Sequence, residues 1–269
     1  MCTDCGCGEA LEHHHHDHEH DHDHEHSHDH EHDGHTHSHD HDHKHSHKHN
    51  HDHEHSRTLT IEKNVLSHNQ DIANENRKWL AEKGVMCVNI ISSPGSGKTT
   101  LLEKTLEALN GLLKCAVIVG DQQTDNDAKR LEGKGAKVMQ IETYTLCHLN
   151  AEQIQKALPE FVEDDTKLLF IENVGNLVCP AAFDLGENFK IALLSTTEGE
   201  DKAVKYPVLF SGSQIVVLTK TDLVPHLDWD MAECRKNIRK IHPGVFIFEL
   251  SAKTGEGMTA WIDYLKNLA

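Results

Sequence analysis

VMCVNIISSPGSGKTTLLEKTLEALN, residues 85–110, is the stretch from which the rest of the chain can be read. An apolar run, Val85 to Ile91, is followed by a glycine-rich turn and then by a helical pattern from Lys98 to Asn110 that Gly111 ends. A turn of this kind feeding a helix N-terminus points several backbone N–H groups at one concavity, where the helix dipole also favours anions. Phosphate groups suit that concavity. Gly95 and Gly97 permit the tight cradle, with Pro94, Ser96 and Thr100 completing its wall. Lys98 would reach the β- and γ-phosphates of a nucleotide, and Thr99 would place its hydroxyl on Mg²⁺. Ser92 stands where the GxxxxGK[ST] pattern begins with Gly.

Outward from this turn the chain alternates. Further apolar runs lie at Cys115 to Val119, Lys137 to Ile141, Lys167 to Ile171, Phe189 to Leu194, Gln214 to Leu218 and Val245 to Phe248. Helical patterns at Asp125 to Glu132, Ala151 to Leu158, Trp229 to Lys240 and Met258 to Leu268 lie between or after them. Continuous Val, Ile and Leu strands separated by amphipathic helices predict an α/β fold: a mostly parallel sheet covered by helices on both faces. Ahead of it, Ser67 to Lys83 reads as a helix capped by Ser67 and stopped by Gly84, with residues 57–66 a short transition.

The net charge of -18 misdescribes this domain. Residues 1–56 hold 15 acids and two lysines, whereas residues 57–269 hold 29 acids against 24 bases. The same first segment holds 23 of the 27 His, alternating with Asp, Glu, Ser or Lys from His13 to His55 without one aliphatic or aromatic side chain. Such a segment cannot offset the entropy of ordering and is expected to be disordered. Its irregular alternation suits multivalent, exchangeable binding of borderline metals that protonation below about pH 6 would release. The expected parts are therefore a metal-binding motif at 1–8, a His-rich tail at 9–56 and a nucleotide-binding domain at 57–269. No apolar stretch approaches the roughly 20 residues of a membrane helix and no apolar leader core is present, which predicts a cytoplasmic protein. Neither nucleic acid nor membrane is expected as a partner.

Thr219-Lys220-Thr221-Asp222 and Ser251-Ala252-Lys253 each follow an apolar run and resemble the NKxD and SAK elements by which GTPases recognise guanine. In that pattern Asp222 would accept hydrogen bonds from the guanine N1–H and exocyclic amine, which adenine cannot supply. Thr219 stands where Asn is usual, a change that removes one supporting hydrogen bond and predicts modest affinity. Glu172-Asn173-Val174-Gly175 resembles the DxxG element with Glu in place of Asp: Glu172 would join the Mg²⁺ shell and the Gly175 amide would sense the γ-phosphate. Asp121, closing the run CAVIVG in GDQQTDND, is a second carboxylate at a strand end, a candidate for Mg²⁺ or for orienting water. Lys98, Thr99, Asp121 and Glu172 are the candidate catalytic set.

Thiols supply a second chemistry. Cys2, Cys5 and Cys7 lie within six residues, with Gly6 and Gly8 for tight bends, so a short peptide can wrap one soft ion. With the α-amine the donor set is S₃N, compatible with square-planar Ni²⁺ or tetrahedral Zn²⁺. Cys147, His148 and Cys179 follow strand ends on the nucleotide side of the sheet, and their donors suit Zn²⁺ or Ni²⁺. Cys87, Cys115 and Cys234 fall within predicted strands or a helix and read as packing.

Taken in order, CxxCGC, the His-rich tail, SSPGSGKTT, GDQQTDND, CHLN, ENVGNLVCP, TKTDL and SAKTGEG resemble the hydrogenase nickel-incorporation GTPases of the HypB type, in the SIMIBI class of P-loop GTPases. The resemblance implies a slow GTPase that binds GTP and GDP and helps deliver Ni²⁺ to the [NiFe]-hydrogenase large subunit. It also implies a homodimer in the GTP state and a small HypA-type nickel-binding partner. By the same resemblance Cys2, Cys5 and Cys7 match a high-affinity nickel site. Cys147, His148 and Cys179 match a metal site at the dimer interface whose affinity depends on nucleotide state. Two other readings are a urease-type nickel-delivery GTPase and a metal buffer with a secondary GTPase.

Overall fold

The computed structural model describes residues 51–122 and 125–269. The expectations for residues 1–50, including the Cys2, Cys5 and Cys7 site and most of the His-rich tail, lie outside the described residues. Strands β1 (Met86–Ser92), β2 (Cys115–Asp121), β3 (Ala136–Glu142), β4 (Leu168–Glu172), β5 (Phe189–Ser195), β6 (Ile215–Thr219) and β7 (Phe246–Glu249) form one sheet in the order β3-β2-β4-β1-β5-β6-β7. Every neighbouring pair is parallel. The connections carry α2 (Lys98–Leu109), α3 (Asn126–Leu131), α4 (Ala151–Phe161), α5 (Cys179–Ala182), α6 (Lys202–Lys205), α7 (Pro207–Gly212) and α8 (Met231–Ile241), with α1 (His51–Lys83) and α9 (Met258–Leu268) at the ends.

Alternation along the strands divides their side chains between two buried faces. Val88, Ile90, Phe170, Leu193 and Val217 pack with Leu102, Leu106 and Trp261 of α2 and α9. On the opposite face Cys87, Ile118 and Ile171 meet Leu80, Ile154 and Phe161 of α1 and α4. Ile91, Leu194 and Leu218 meet Phe210 and Ile238 of α7 and α8. Trp261 is fully buried yet satisfied, since its indole N–H donates to Thr105 Oγ1 at 2.9 Å. Cys87, Cys115 and Cys234 are likewise buried, and burial raises each thiol above its ordinary pKa, to about 12 for Cys115 and Cys234. They pack as expected.

One expected boundary is wrong. Ser67 does not cap α1, because the helix begins at His51 and runs unbroken to Lys83, taking in the 57–66 transition and the end of the expected tail. No Gly or Pro interrupts residues 51–83, so a good capping residue inside the run has no terminus to cap. Buried amides fix the described part of this helix to the domain. Asn76 Nδ2 donates to the carbonyls of Ala151 (2.8 Å) and Leu185 (3.0 Å). Asn69 Oδ1 accepts from Ala151 N (2.9 Å), and its Nδ2 donates to Asp184 O (2.7 Å).

Candidate functional site

The turn after β1 is shaped by two glycines in the left-handed region, Gly95 (φ 72°) and Gly97 (φ 98°), the latter capping α2. Ser92 has no such requirement. It is the buried last residue of β1, with ordinary strand backbone, so the first position of the motif does not need Gly. Its hydroxyl accepts from Lys98 Nζ (3.1 Å) and from the Ser96 hydroxyl, and donates to Ser93 O (2.9 Å). Burial lowers the Lys98 pKa, and the carboxylate of Glu172 is the main opposing influence.

A cleft of about 600 Å³ opens over this turn, at the carboxyl ends of β1, β2 and β4. Pro94, Gly95, Gly97, Lys98, Thr99, Thr100, Asp121, Glu172, Gly175 and Lys220 line it. Gly175 lies close against the turn: a Cβ on it would stand 3.1 Å from Pro94 Cα, tighter than an ordinary contact, so a side chain there would push the two segments a few tenths of an ångström apart. Thr99 Oγ1 donates to Glu172 Oε1 at 2.7 Å. Glu172 Oε2 is buried without any hydrogen bond, and burial pushes this carboxyl up to about 7. An orphaned carboxylate oxygen beside a threonine hydroxyl at a helix N-terminus is a donor set that fits Mg²⁺. The Asp121 carboxylate accepts from its neighbour Gln122 N at 2.5 Å.

A second cavity, about 240 Å³, continues from the first through Gly97, Thr100 and Lys220. Ser96, Thr219, Asp222, Ser251, Ala252 and Lys253 complete its lining together with Leu101 and Leu223. Ser251 Oγ donates to Asp222 Oδ1 at 2.6 Å and so orients the carboxylate. Lys220, itself at φ 60°, donates to Gly95 O (2.7 Å). The Thr219 hydroxyl donates to Ser96 O (2.7 Å), so the departure from Asn still leaves a link from β6 to the phosphate turn. Every residue expected to hold nucleotide thus lines one of two continuous cavities.

Cys147, His148 and Cys179 also converge. Their ligand atoms all lie within 4.8 Å of one another. Cys147 and His148 come from the turn between β3 and α4, and Cys179 opens α5 after β4. His148 is buried with its ring centroid 4.0 Å from that of Phe183, and burial pushes it down to about 4. The imidazole is therefore neutral at pH 7, the form that ligates a metal. Two thiols and a neutral imidazole, of which only Cys147 is partly exposed, fit a borderline ion such as Zn²⁺ or Ni²⁺.

A model of the CobW/HypB/UreG nucleotide-binding domain matches residues 86–249, which includes the phosphate turn, both carboxylates and the thiol–imidazole cluster. The hydrogenase maturation factor HypB of Escherichia coli K12 is 48% identical over 210 residues, 78% of this chain and 72% of that protein. The chain belongs to the HypB family of hydrogenase maturation factors. Among solved structures, HypB from Archaeoglobus fulgidus is 38% identical with a TM-score of 0.71, covering 75% of this chain and 98% of that one. HypB from Helicobacter pylori, solved in complex with nickel, is 37% identical with a TM-score of 0.69, covering 73% and 93%.

Several residues of this HypB-family site have places that the sequence reading did not assign. Asn173, Asp127 and Arg130 also line the larger cleft. Arg130 Nη2 donates to Thr100 Oγ1 (3.1 Å) and pairs with Glu103 (3.2 Å). Glu198, after β5, accepts from Ser93 Oγ at 2.7 Å and braces the phosphate turn from behind. Asn173, inside ENVG, and Asp127, the last residue of GDQQTDND, were visible without a role.

Proposed function

We propose that this chain is a Mg²⁺-dependent GTPase and nickel metallochaperone that assists nickel insertion into the large subunit of [NiFe]-hydrogenase. The observation that carries the reading is a shared segment: the chain leaving β4 contributes Glu172 to the nucleotide cleft and, seven residues on, Cys179 to the thiol–imidazole cluster. Backbone amides of the phosphate turn and Lys98 would hold the phosphates. Asp222, oriented by Ser251, would accept from the guanine edge. Thr99, Glu172 and Asp121 would hold Mg²⁺, which when bound neutralises charge on the β- and γ-oxygens. The Gly175 amide, close against Pro94, would sense the γ-phosphate.

Dimerisation in the GTP state would bring two thiol–imidazole clusters together and couple metal affinity to nucleotide. Apolar exposure beside the cluster supports this face as the contact: Val178, next to Cys179, is 58% exposed. Nickel is the cargo, with Zn²⁺ a competitor for the same ligands. Cys2, Cys5 and Cys7 would take Ni²⁺ first, the His-rich tail would store it, and a HypA-type partner would pass it on in the cytoplasm. Residues 1–8, 9–56 and 57–269 would then be acquisition, storage and GTPase parts. Among the described residues no helix is long and apolar enough to cross a membrane.

Deletion in a cell that makes both nickel enzymes tests the reading. The expected result is loss of hydrogenase activity in low nickel with urease activity retained. Loss of urease alone would reassign the chain to urease. Removing residues 13–55 should reduce nickel tolerance more than hydrogenase maturation if the tail stores metal.

A further inference from the structure

We propose that Asn173 is the positioning residue through which the nucleotide cleft and the Cys147–His148–Cys179 cluster act on one another within a single chain. The inference rests on the proposed coupling of nucleotide and metal, and says where that coupling passes.

Asn173 directly follows Glu172 and is 1% exposed. Its backbone N–H is held by Ile90 O at 3.1 Å, beside the central strand. Its side-chain oxygen accepts from two amides that belong to different sites. One is Val174 N (3.0 Å), between Glu172 and Gly175. The other is Leu149 N (3.2 Å), the residue after His148. The side-chain nitrogen donates to Asn89 Oδ1 (3.2 Å), and Asn89 Nδ2 in turn donates to Glu187 Oε1 (3.2 Å), so the amide is anchored and its orientation set.

Leu149 is gripped a second time, through its side chain. It is fully buried and occupies the space that Gly120 leaves open: a Cβ on Gly120 would stand 2.7 Å from Leu149 Cγ and Cδ1. Gly120 immediately precedes Asp121. One residue of the metal loop is thus held at its backbone by the segment that bears Glu172 and at its side chain by the segment that bears Asp121. Close packing leaves no slack at either contact, so a shift of a carboxylate segment on binding phosphate must displace Leu149 or be resisted by it. His148 is next in the chain, and Cys179 lies on the same excursion as Asn173. Spatial intermediacy alone is not coupling, and the distinction is measurable.

The test uses the full chain, chelator-buffered free Zn²⁺, and fluorescent GDP and a non-hydrolysable GTP analogue. The quantity read is the factor by which Zn²⁺ changes the ratio of the two nucleotide affinities. In the unsubstituted protein it should be about fivefold or more, and it should vanish in the Cys147→Ala, Cys179→Ala double variant. In Asn173→Ala it should fall below about twofold, whatever happens to the absolute affinities. Gly120→Ala keeps Asn173 and every metal ligand but displaces Leu149 from the other side, and it should reduce the factor too. That variant decides the matter if Asn173→Ala does not fold. A merely structural role would lower thermal stability and leave the factor in place. An undiminished factor in both variants overturns the inference while leaving the coupling standing. No Zn²⁺ effect in the unsubstituted protein overturns the coupling itself, and the inference with it.

Discussion

The nucleotide cleft and the thiol–imidazole cluster share one edge of the sheet but are built by opposite means. The cleft is largely a backbone construction: a turn set by Gly95 and Gly97, a helix N-terminus, and a second segment brought close because Gly175 has no side chain. Charged groups then line it, among them Lys98, Glu172, Asp121 and Arg130. The cluster consists of three side chains, two from the turn between β3 and α4 and one from the start of α5, His148 being buried against Phe183. A site made by backbone tolerates altered side chains around it, as at Ser92, whose strand backbone does not require Gly. A site made of three ligands has no such reserve.

That contrast can be broken by substitution. Lys98→Ala removes the one cationic side chain expected at the β- and γ-phosphates, and GTP turnover should fall by about 10²–10³-fold while Zn²⁺ still binds at the cluster. Normal turnover in a phosphate-release assay would sink the cleft assignment. Cys179→Ala should weaken metal at the cluster by more than the ~10–100-fold that loss of an outer-shell partner costs, with metal-free GTP turnover retained. Titration against a competing chelator reads it. Asp222→Asn should weaken GTP binding by about 10–100-fold and favour xanthosine nucleotide. Unchanged preference for GTP would remove the guanine assignment. Ser92→Gly is the smallest change: only the hydroxyl contacts with Lys98, Ser96 and Ser93 O are lost, so turnover should shift by less than about fivefold. A larger effect would mean that the cleft depends on side chains more than its geometry indicates.

Legibility in the sequence followed the same division. All seven strands could be read from short apolar runs, because the inner strands of a parallel sheet covered on both faces bury nearly every position, while the edge strands β3 and β7 are less buried and β3 admits Lys137 and Gln140. The backbone-built phosphate turn is contiguous, and its residues are recognisable from residue type and spacing. The short α5 and α6 were missed, since four residues show no helical period, and so was the six-residue α7, which begins at Pro207 and ends at Gly212. The start of α1 was misplaced because Ser67 is a good cap in a run that has no breaker. Cys147, His148 and Cys179 made only a weak pattern, as 31 residues separate His148 from Cys179 and the fold alone closes that gap. Asn173 and Glu198 were the least legible: their partners Leu149 and Ser93 lie 24 and 105 residues away, and nothing local marks an amide or a carboxylate as a brace.

The central claim is that two sites of such different construction work as one unit. The direct measurement is the affinity of the Cys147–His148–Cys179 cluster for Ni²⁺ with GDP and with a non-hydrolysable GTP analogue, taken as the difference between the unsubstituted chain and one lacking all three ligands. A difference of about fivefold or more between the nucleotides is predicted. Equal affinity in the two states would contradict it.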